Sequence, residues 1–181
     1  MFELRLVALV ASQTVVFEEG EAGYTCIKIP YLLATLNGSL IALGEARLGS
    51  CSDYAPTDLV MKRSVDRGMT WSSLVVLQSH KSFANGTVVG NAAPVQVRQT
   101  GRILLPFCVN NHDFYLSWSD DDGVSWAKPR YVVEVANPSW GWIGAGPPGS
   151  IQLRSGRIVV PAYHSPYHWL DGYDSHAFAY L

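Results

Sequence analysis

Ser64-Val-Asp66-Arg-Gly68-Met-Thr70-Trp71 and Ser119-Asp-Asp121-Asp-Gly123-Val-Ser125-Trp126 are two copies of one pattern, S-x-D-x-G-x-[ST]-W, and they start 55 residues apart. The residue types describe a turn. An Asp carboxylate accepts hydrogen bonds from the backbone that follows it, Gly tolerates φ above zero, and Trp folds back as an apolar lid. Such a turn fastens two strands together. β-rich runs stand on either side of each copy, 58–64 and 73–77 about the first, 114–119 and 131–134 about the second.

Upstream of each box lies a hairpin. Residues 30–36 meet 39–45 across Asn37-Gly38, and residues 94–98 meet 102–107 across Thr100-Gly101. A third hairpin, 150–153 with 157–161 across Ser155-Gly156, is followed by a strand at 177–181. Short Gly-containing turns between β-rich runs are a strong local hairpin signal. Hairpin, third strand, box and fourth strand give four antiparallel strands per unit. The turn glycines Gly38, Gly101 and Gly156 lie 63 and 55 residues apart, a blade-sized interval. The fold class is therefore all-β, a β-propeller of four-stranded antiparallel blades. The expected division is a single domain with blade one at about 24–80, blade two at about 91–135 and an incomplete blade three at about 147–181. The third unit should reach its box only between 174 and 182, so the chain reads as a fragment, two blades and most of a third.

Composition agrees with this and excludes several classes of function. The 181 residues are 48% hydrophobic and 15% charged, with 16 Gly, 10 Pro, 6 Trp and 9 Tyr, which is enough apolar matter for a core and too little charge for a disordered tail. A formal net charge of -2 provides no basic stripe, so nucleic acid and anionic membranes are not expected partners. The apolar run at 6–11 is far shorter than the ~20 residues of a transmembrane helix, so no transmembrane segment is expected. Residues 1–12 have a short apolar middle after Arg5 but an acidic Glu3 before it, a poor match to a secretory leader. The sequence does not fix the compartment, with secreted or lysosomal favoured over cytoplasmic. Three cysteines, Cys26, Cys51 and Cys108, form an odd set without C-x-x-C spacing and read as buried thiols, neither a disulfide framework nor a zinc knuckle. Asn37-Gly-Ser39 and Asn85-Gly-Thr87 match the glycosylation sequon, and the first is better read as the hairpin turn.

The paired boxes resemble the Asp-box repeats of the sialidases (neuraminidases), six-bladed propeller glycosidases. Tyr24-Thr-Cys-Ile-Lys28-Ile-Pro30 looks like the family's Y-R-I-P segment, Glu45-Ala-Arg47 like its E-x-R, and Asp53 follows in the next loop. The likeness runs on through Asn91-Ala-Ala-Pro94, Trp140-Gly-Trp-Ile-Gly-Ala-Gly-Pro147 and Val160-Pro-Ala-Tyr163. It implies a retaining exo-α-sialidase that removes terminal sialic acids from glycoproteins, glycolipids or oligosaccharides, with a sialylated glycan as partner and no metal or organic cofactor. By that resemblance Asp53 is the acid/base group, Arg47 reaches the polar substituents of the sugar ring, and Asn91 and Tyr163 line the pocket. Trp140 or Trp142 lies near the acyl or aglycone side. Lys28 stands where the family has the first of three arginines that grip the substrate carboxylate, a point charge in place of a planar fork. The Tyr nucleophile, its Glu and the other two arginines come from later blades in the family, so the chain alone is expected to be inactive. The alternatives are a non-catalytic propeller that binds glycans or proteins, and a trans-sialidase.

Other chemistry-bearing residues take structural readings. Asp66 and Asp121 belong to their turns and are not a catalytic pair. His164 and His168, with Asp171 and Asp174 nearby, have the spacing of metal ligands on a helix. Pro166 and Gly172 interrupt that stretch, and no helical period supports a site there. Trp140-Gly-Trp142 suits a lid between blades as well as a pocket wall.

Overall fold

A computed structural model describes residues 13–85, 87–146 and 149–165, and the backbone of 176–180. The leader reading at 1–12, Gly86 of the second sequon, Pro147, and the His168, Asp171 and Asp174 of the metal reading lie outside the described residues. Among the described residues the structure is all-β apart from two short 3-10 turns, and no helix is long and apolar enough to cross a membrane.

Three antiparallel sheets follow one another along the chain. The first is ordered β1 (Cys26–Ala34), β2 (Leu40–Arg47), β3 (Thr57–Ser64), β4 (Val75–Gln78). In the second, β5 (Val89–Gly90) and β6 (Val95–Gln96) both pair with β7 (Ile103–Val109), followed by β8 (Asp113–Ser119) and β9 (Arg130–Tyr131). In the third, β10 (Trp142–Ala145) and β11 (Ile151–Gln152) pair with β12 (Ile158–Ser165), whose other edge takes β13 (His176–Tyr180).

The first strand of every sheet differs from the uninterrupted run that its composition suggests. β1 shifts register between Lys28 and Tyr31, and the second and third sheets split the strand in two. One residue in the left-handed region marks each break: Ile29 at φ 50°, Asn91 at 53° and Gly146 at 58°. Pro30 contributes, since it has no N–H for a ladder. In the first two sheets the break lies beside Glu45, which stands opposite Lys28 and accepts the Asn91 N–H.

Alternation places the core between sheets. On β2 and β3, Ile41, Leu43, Leu59 and Met61 face the second sheet, where Ile103, Leu105, Phe107 and Val109 of β7 meet them. The opposite face of β7 carries Cys108, which packs with Ala93, Phe114, Ile143 and Ala145 against the third sheet. Each of the first two sheets is thus buried on a face by its successor, as in a propeller.

Both boxes close as turns. Ser64 Oγ donates to Asp66 (2.8 Å) and accepts from the Gly68 N–H (2.8 Å), while Asp66 accepts from the Thr70 N–H (2.9 Å) and hydroxyl (2.6 Å). The second box repeats the set with Ser119, Asp121, Gly123 and Ser125. Hydrogen bonds from the Thr or Ser pull both aspartates down to about 2, with backbone N–H groups adding to the effect. The box glycines have φ of 86° and 82°.

Polar clasps tie each hairpin to the next. Gln96 accepts from the Leu36 N–H of the preceding hairpin (2.6 Å) and donates to Gly101 of its own turn (2.8 Å). Gln152 does the same with the Arg98 N–H (2.9 Å) and Gly156 (3.0 Å). From the second box, Asp122 reaches back to Arg63 (2.5 Å) and accepts from Ser39 Oγ (2.7 Å).

Candidate active site

The face of β2 that carries Ile41 and Leu43 into the core continues, two residues at a time, to Glu45 and Arg47. Both are charged and both are buried, at 6% and 2% exposure, so each needs a partner. They pair with each other, Arg47 NH2 to Glu45 Oε2 at 3.1 Å. The other oxygen, Oε1, accepts the Asn91 N–H from the second sheet at 2.8 Å. Gly90 makes room for this, since a Cβ there would lie 2.3 Å from Oε1. Burial pushes the Glu45 carboxyl up, and the bonds from Asn91 and Arg47 offset only part of that.

The second nitrogen of Arg47, NH1, forms an ion pair with Asp53 and donates to the Cys51 carbonyl at 2.9 Å. Lys28 Nζ donates to the same carbonyl at 2.8 Å. Lys28 and Arg47 sit near the same end of the sheet because register sets Lys28 opposite Glu45 and Cys26 opposite Arg47. The loop after Arg47 then folds back over that end. Asp53 is the outward member of the group, its side chain 72% exposed while its arginine is buried. A carboxylate so placed is open to a solute and fixed from behind.

Two of the three cysteines are not the buried thiols that their number and spacing suggest. Cys26 and Cys51 are joined by a disulfide, with Cα atoms 5.8 Å apart. Only Cys108 is a buried free thiol, pushed up to about 12 by its burial. Counting could not reveal the bond, because the residues are 25 apart in sequence and meet only when the 48–56 loop returns over the start of β1.

Asn91 turns through its positive φ and donates through Nδ2 to Asn111, whose carbonyl accepts the Ile143 N–H at 2.6 Å. That chain of contacts links all three sheets beside the charged group. Tyr163 on β12 lies over Gly144, where a Cβ would be 2.6 Å from the ring. Its ring centroid is 6.3 Å from that of Trp142. Burial is the main cause that raises the Tyr163 hydroxyl; the neighbouring Trp142 offsets part of that, and Cys108 and the carboxylates of Glu45 and Asp53 add to it. Trp140 goes elsewhere. It stacks on His164 at 3.7 Å, and His164 follows Tyr163 on the strand and so faces the other side.

Lys28, Arg47, Asp53 and Asn91 are thus gathered directly, Tyr163 and Trp142 form a pair within electrostatic reach, and Trp140 packs with the core between the second and third sheets. Sequence reasoning assigned no role to Glu45, Gly90 or Asn111. The i, i+2 spacing of Glu45 and Arg47 on a strand was the available signal, since it puts both charges on one face.

The model of the BNR repeat-like domain family matches residues 38–179. An exo-alpha-sialidase of Aspergillus fumigatus is 27% identical over 170 residues, covering 77% of this chain and 42% of the relative. Sialidase-3 of Mus musculus is 30% identical over 174 residues, covering 84% of this chain and 41% of its own length. The chain therefore spans less than half the length of these curated relatives. Among solved structures, the Hadza microbial sialidase Hz136 superposes with a TM-score of 0.71 at 26% identity, over 78% of this chain and 33% of that one. The intramolecular trans-sialidase of Ruminococcus gnavus shares the fold with a TM-score of 0.71 at 14% identity, over 90% of this chain and 62% of its own. With two closed Asp-box turns, sheets stacked face to face and this match over most of its length, the chain belongs to the BNR-repeat sialidase family.

Proposed function

We propose that the chain carries the acid/base side of an exo-α-sialidase site and that the whole protein hydrolyses terminal sialic acids from glycans. The observation that supports this most is the meeting of Lys28, Arg47 and Asp53 at one carbonyl and one ion pair, with Asp53 outermost. Asp53 protonates the leaving glycosidic oxygen, then takes a proton from the attacking water. The two cations hold an anionic sugar and offset charge as the oxocarbenium-like state develops. Asn91, Tyr163 and Trp142 line the pocket. Each sheet is one blade of a six-bladed propeller, and the Tyr–Glu nucleophile and two further arginines belong to other blades of the whole protein. The 181 residues alone are then inactive.

A fluorogenic sialoside assay on the whole protein tests this. Asp53→Ala should lower kcat about 100-fold or more on an aglycone that needs protonation. Full activity would refute the acid/base role. One observation favours a second reading, a sialoglycan-binding module: Lys28 Nζ already donates to Cys51. Retained binding of sialyllactose with no turnover by the whole protein would establish it.

A further inference from the structure

The loop at 48–56 carries the outermost carboxylate of the site, yet has little internal support. Its neck is closed by the Leu48 N–H donating to the Pro56 carbonyl at 2.9 Å. Inside it, the Ala55 N–H reaches the Ser52 carbonyl at 3.1 Å and the Tyr54 N–H reaches Ser52 Oγ at 3.2 Å. Gly49, Ser50, Ser52, Asp53 and Tyr54 are all exposed or nearly so. Cys51 fastens the middle of the loop in two ways. Its sulfur is bonded to Cys26 at the start of β1, and its carbonyl accepts from both Lys28 and Arg47. Arg47 NH1 is shared between that carbonyl and Asp53, so the carbonyl's place fixes the direction from which Arg47 meets the carboxylate.

We propose that Cys51 is a positioning residue for Asp53, acting through the Arg47 that its carbonyl holds, and that its disulfide to Cys26 makes the placement of that carboxylate depend on thiol redox state. The proposal rests on the reading of Asp53 as the acid/base group. A dithiol reductant supplies two electrons and two protons. The Cys26–Cys51 bond breaks, each sulfur becomes a thiol, and the dithiol closes to its own cyclic disulfide. Oxidation reverses the step. Cys108 does not interfere, because it is buried and its thiol is pushed up to about 12, so little thiolate forms to enter exchange. Once the tether is cut, the loop retains its neck and the buried Ala55, while the exposed residues before it keep hydrogen bonds and the Arg47–Asp53 pair, whose carboxylate side faces water that competes for it.

Two measurements decide the matter. On this chain, thiol titration in denaturant should find one thiol per molecule before treatment with dithiothreitol and three after it. Hydrogen exchange at residues 50–55 should accelerate about tenfold or more on reduction while β7 is unchanged. Three thiols at the start, or unchanged exchange at 50–55, overturns the proposal. On the whole protein, two sialosides are compared, one with a nitrophenol-type leaving group and one with an alkyl aglycone that must be protonated. Reduction, and separately Cys26→Ser, should lower kcat/KM about tenfold for the alkyl aglycone and less than about threefold for the phenol, with reoxidation restoring the reduced wild type. Equal losses on both substrates would mark a general loosening and overturn the positioning role. If the oxidised whole protein turned over neither substrate, the acid/base reading would fail instead, and the exchange measurement would still decide for or against the tether.

Discussion

Gly123 of the second box lies against Ile41 of the first sheet so closely that a Cβ on it would stand 2.4 Å from Ile41 Cδ1. The same glycine has a φ of 82°. It therefore serves two ends at once, the left-handed turn of its own box and the seam between neighbouring sheets.

Gly123→Ala should destabilise the chain by about 2 to 4 kcal/mol, adding overpacking to the cost of a positive φ. Gly101→Ala is the control. Its φ of 75° carries the same backbone cost, and nothing stands within 4 Å of the added methyl, so about 1 kcal/mol is expected. Urea denaturation of both variants measures the difference, and equal losses would show that the contact with Ile41 contributes nothing.

Glu45→Ala removes one partner of a buried ion pair and leaves the Asn91 N–H without its acceptor. A loss of about 3 kcal/mol is expected in thermal denaturation, and Glu45→Gln should recover part of it, because an amide oxygen still accepts from one of the two donors.

Two carboxyls respond to pH in opposite senses. For Asp58, burial favours the neutral form, but bonds from Tyr24 Oη (2.6 Å), the His80 N–H (2.7 Å), the His80 ring and Ser79 outweigh it and hold the group below its ordinary value. Its contribution is present above the ordinary carboxylate range and lost as pH falls below it. The raised Glu45 carboxyl acts the other way, favouring the fold at low pH and losing that advantage as pH climbs through and above the ordinary range. Asp58→Asn should therefore flatten the acid side of a plot of urea midpoint against pH between 7 and 3. Glu45→Gln should leave that acid loss at least as steep. Parallel profiles for all three proteins would contradict the assignment.

Arg63 and Asp122 form the clasp between the first two sheets, both side chains largely buried. In a double-mutant cycle with Ala at each position, a coupling of about 1 to 3 kcal/mol is expected, with Ser39→Ala removing part of it. Additive losses would mean that the pair is only adjacent.

Breaking Cys26–Cys51 frees a loop of 25 residues in the unfolded chain, and about 3 kcal/mol of stability should go with it. Cys108→Ser should not reproduce that loss through any change in cross-linking.

The sequence disclosed the repeating parts because each depends on residues with narrow local uses. Gly at a turn and Asp two places after Ser announce themselves wherever they occur. The break in each first strand was hidden, because Ile29 is β-branched and belongs by type in an extended strand, yet sits at φ 50°. The role of Glu45 was hidden for a similar reason. A buried carboxylate is unexpected until the Asn91 N–H and Gly90 arrive from another sheet. Trp140 and Trp142 could not be told apart without the start of β10 and the parity of β12, which put one with His164 and the other with Tyr163.

Arg67 occupies in the first box the place that Asp122 occupies in the second, with φ of 62° against 61°, and it is exposed. Were one copy of the first sheet to stack on another as the second stacks on the first, Arg67 would meet Arg63, cation against cation. The modules are consequently not interchangeable bricks. Their rims carry a polarity that disfavours an endless column of first modules, the runaway filament to which head-to-tail assemblies are prone.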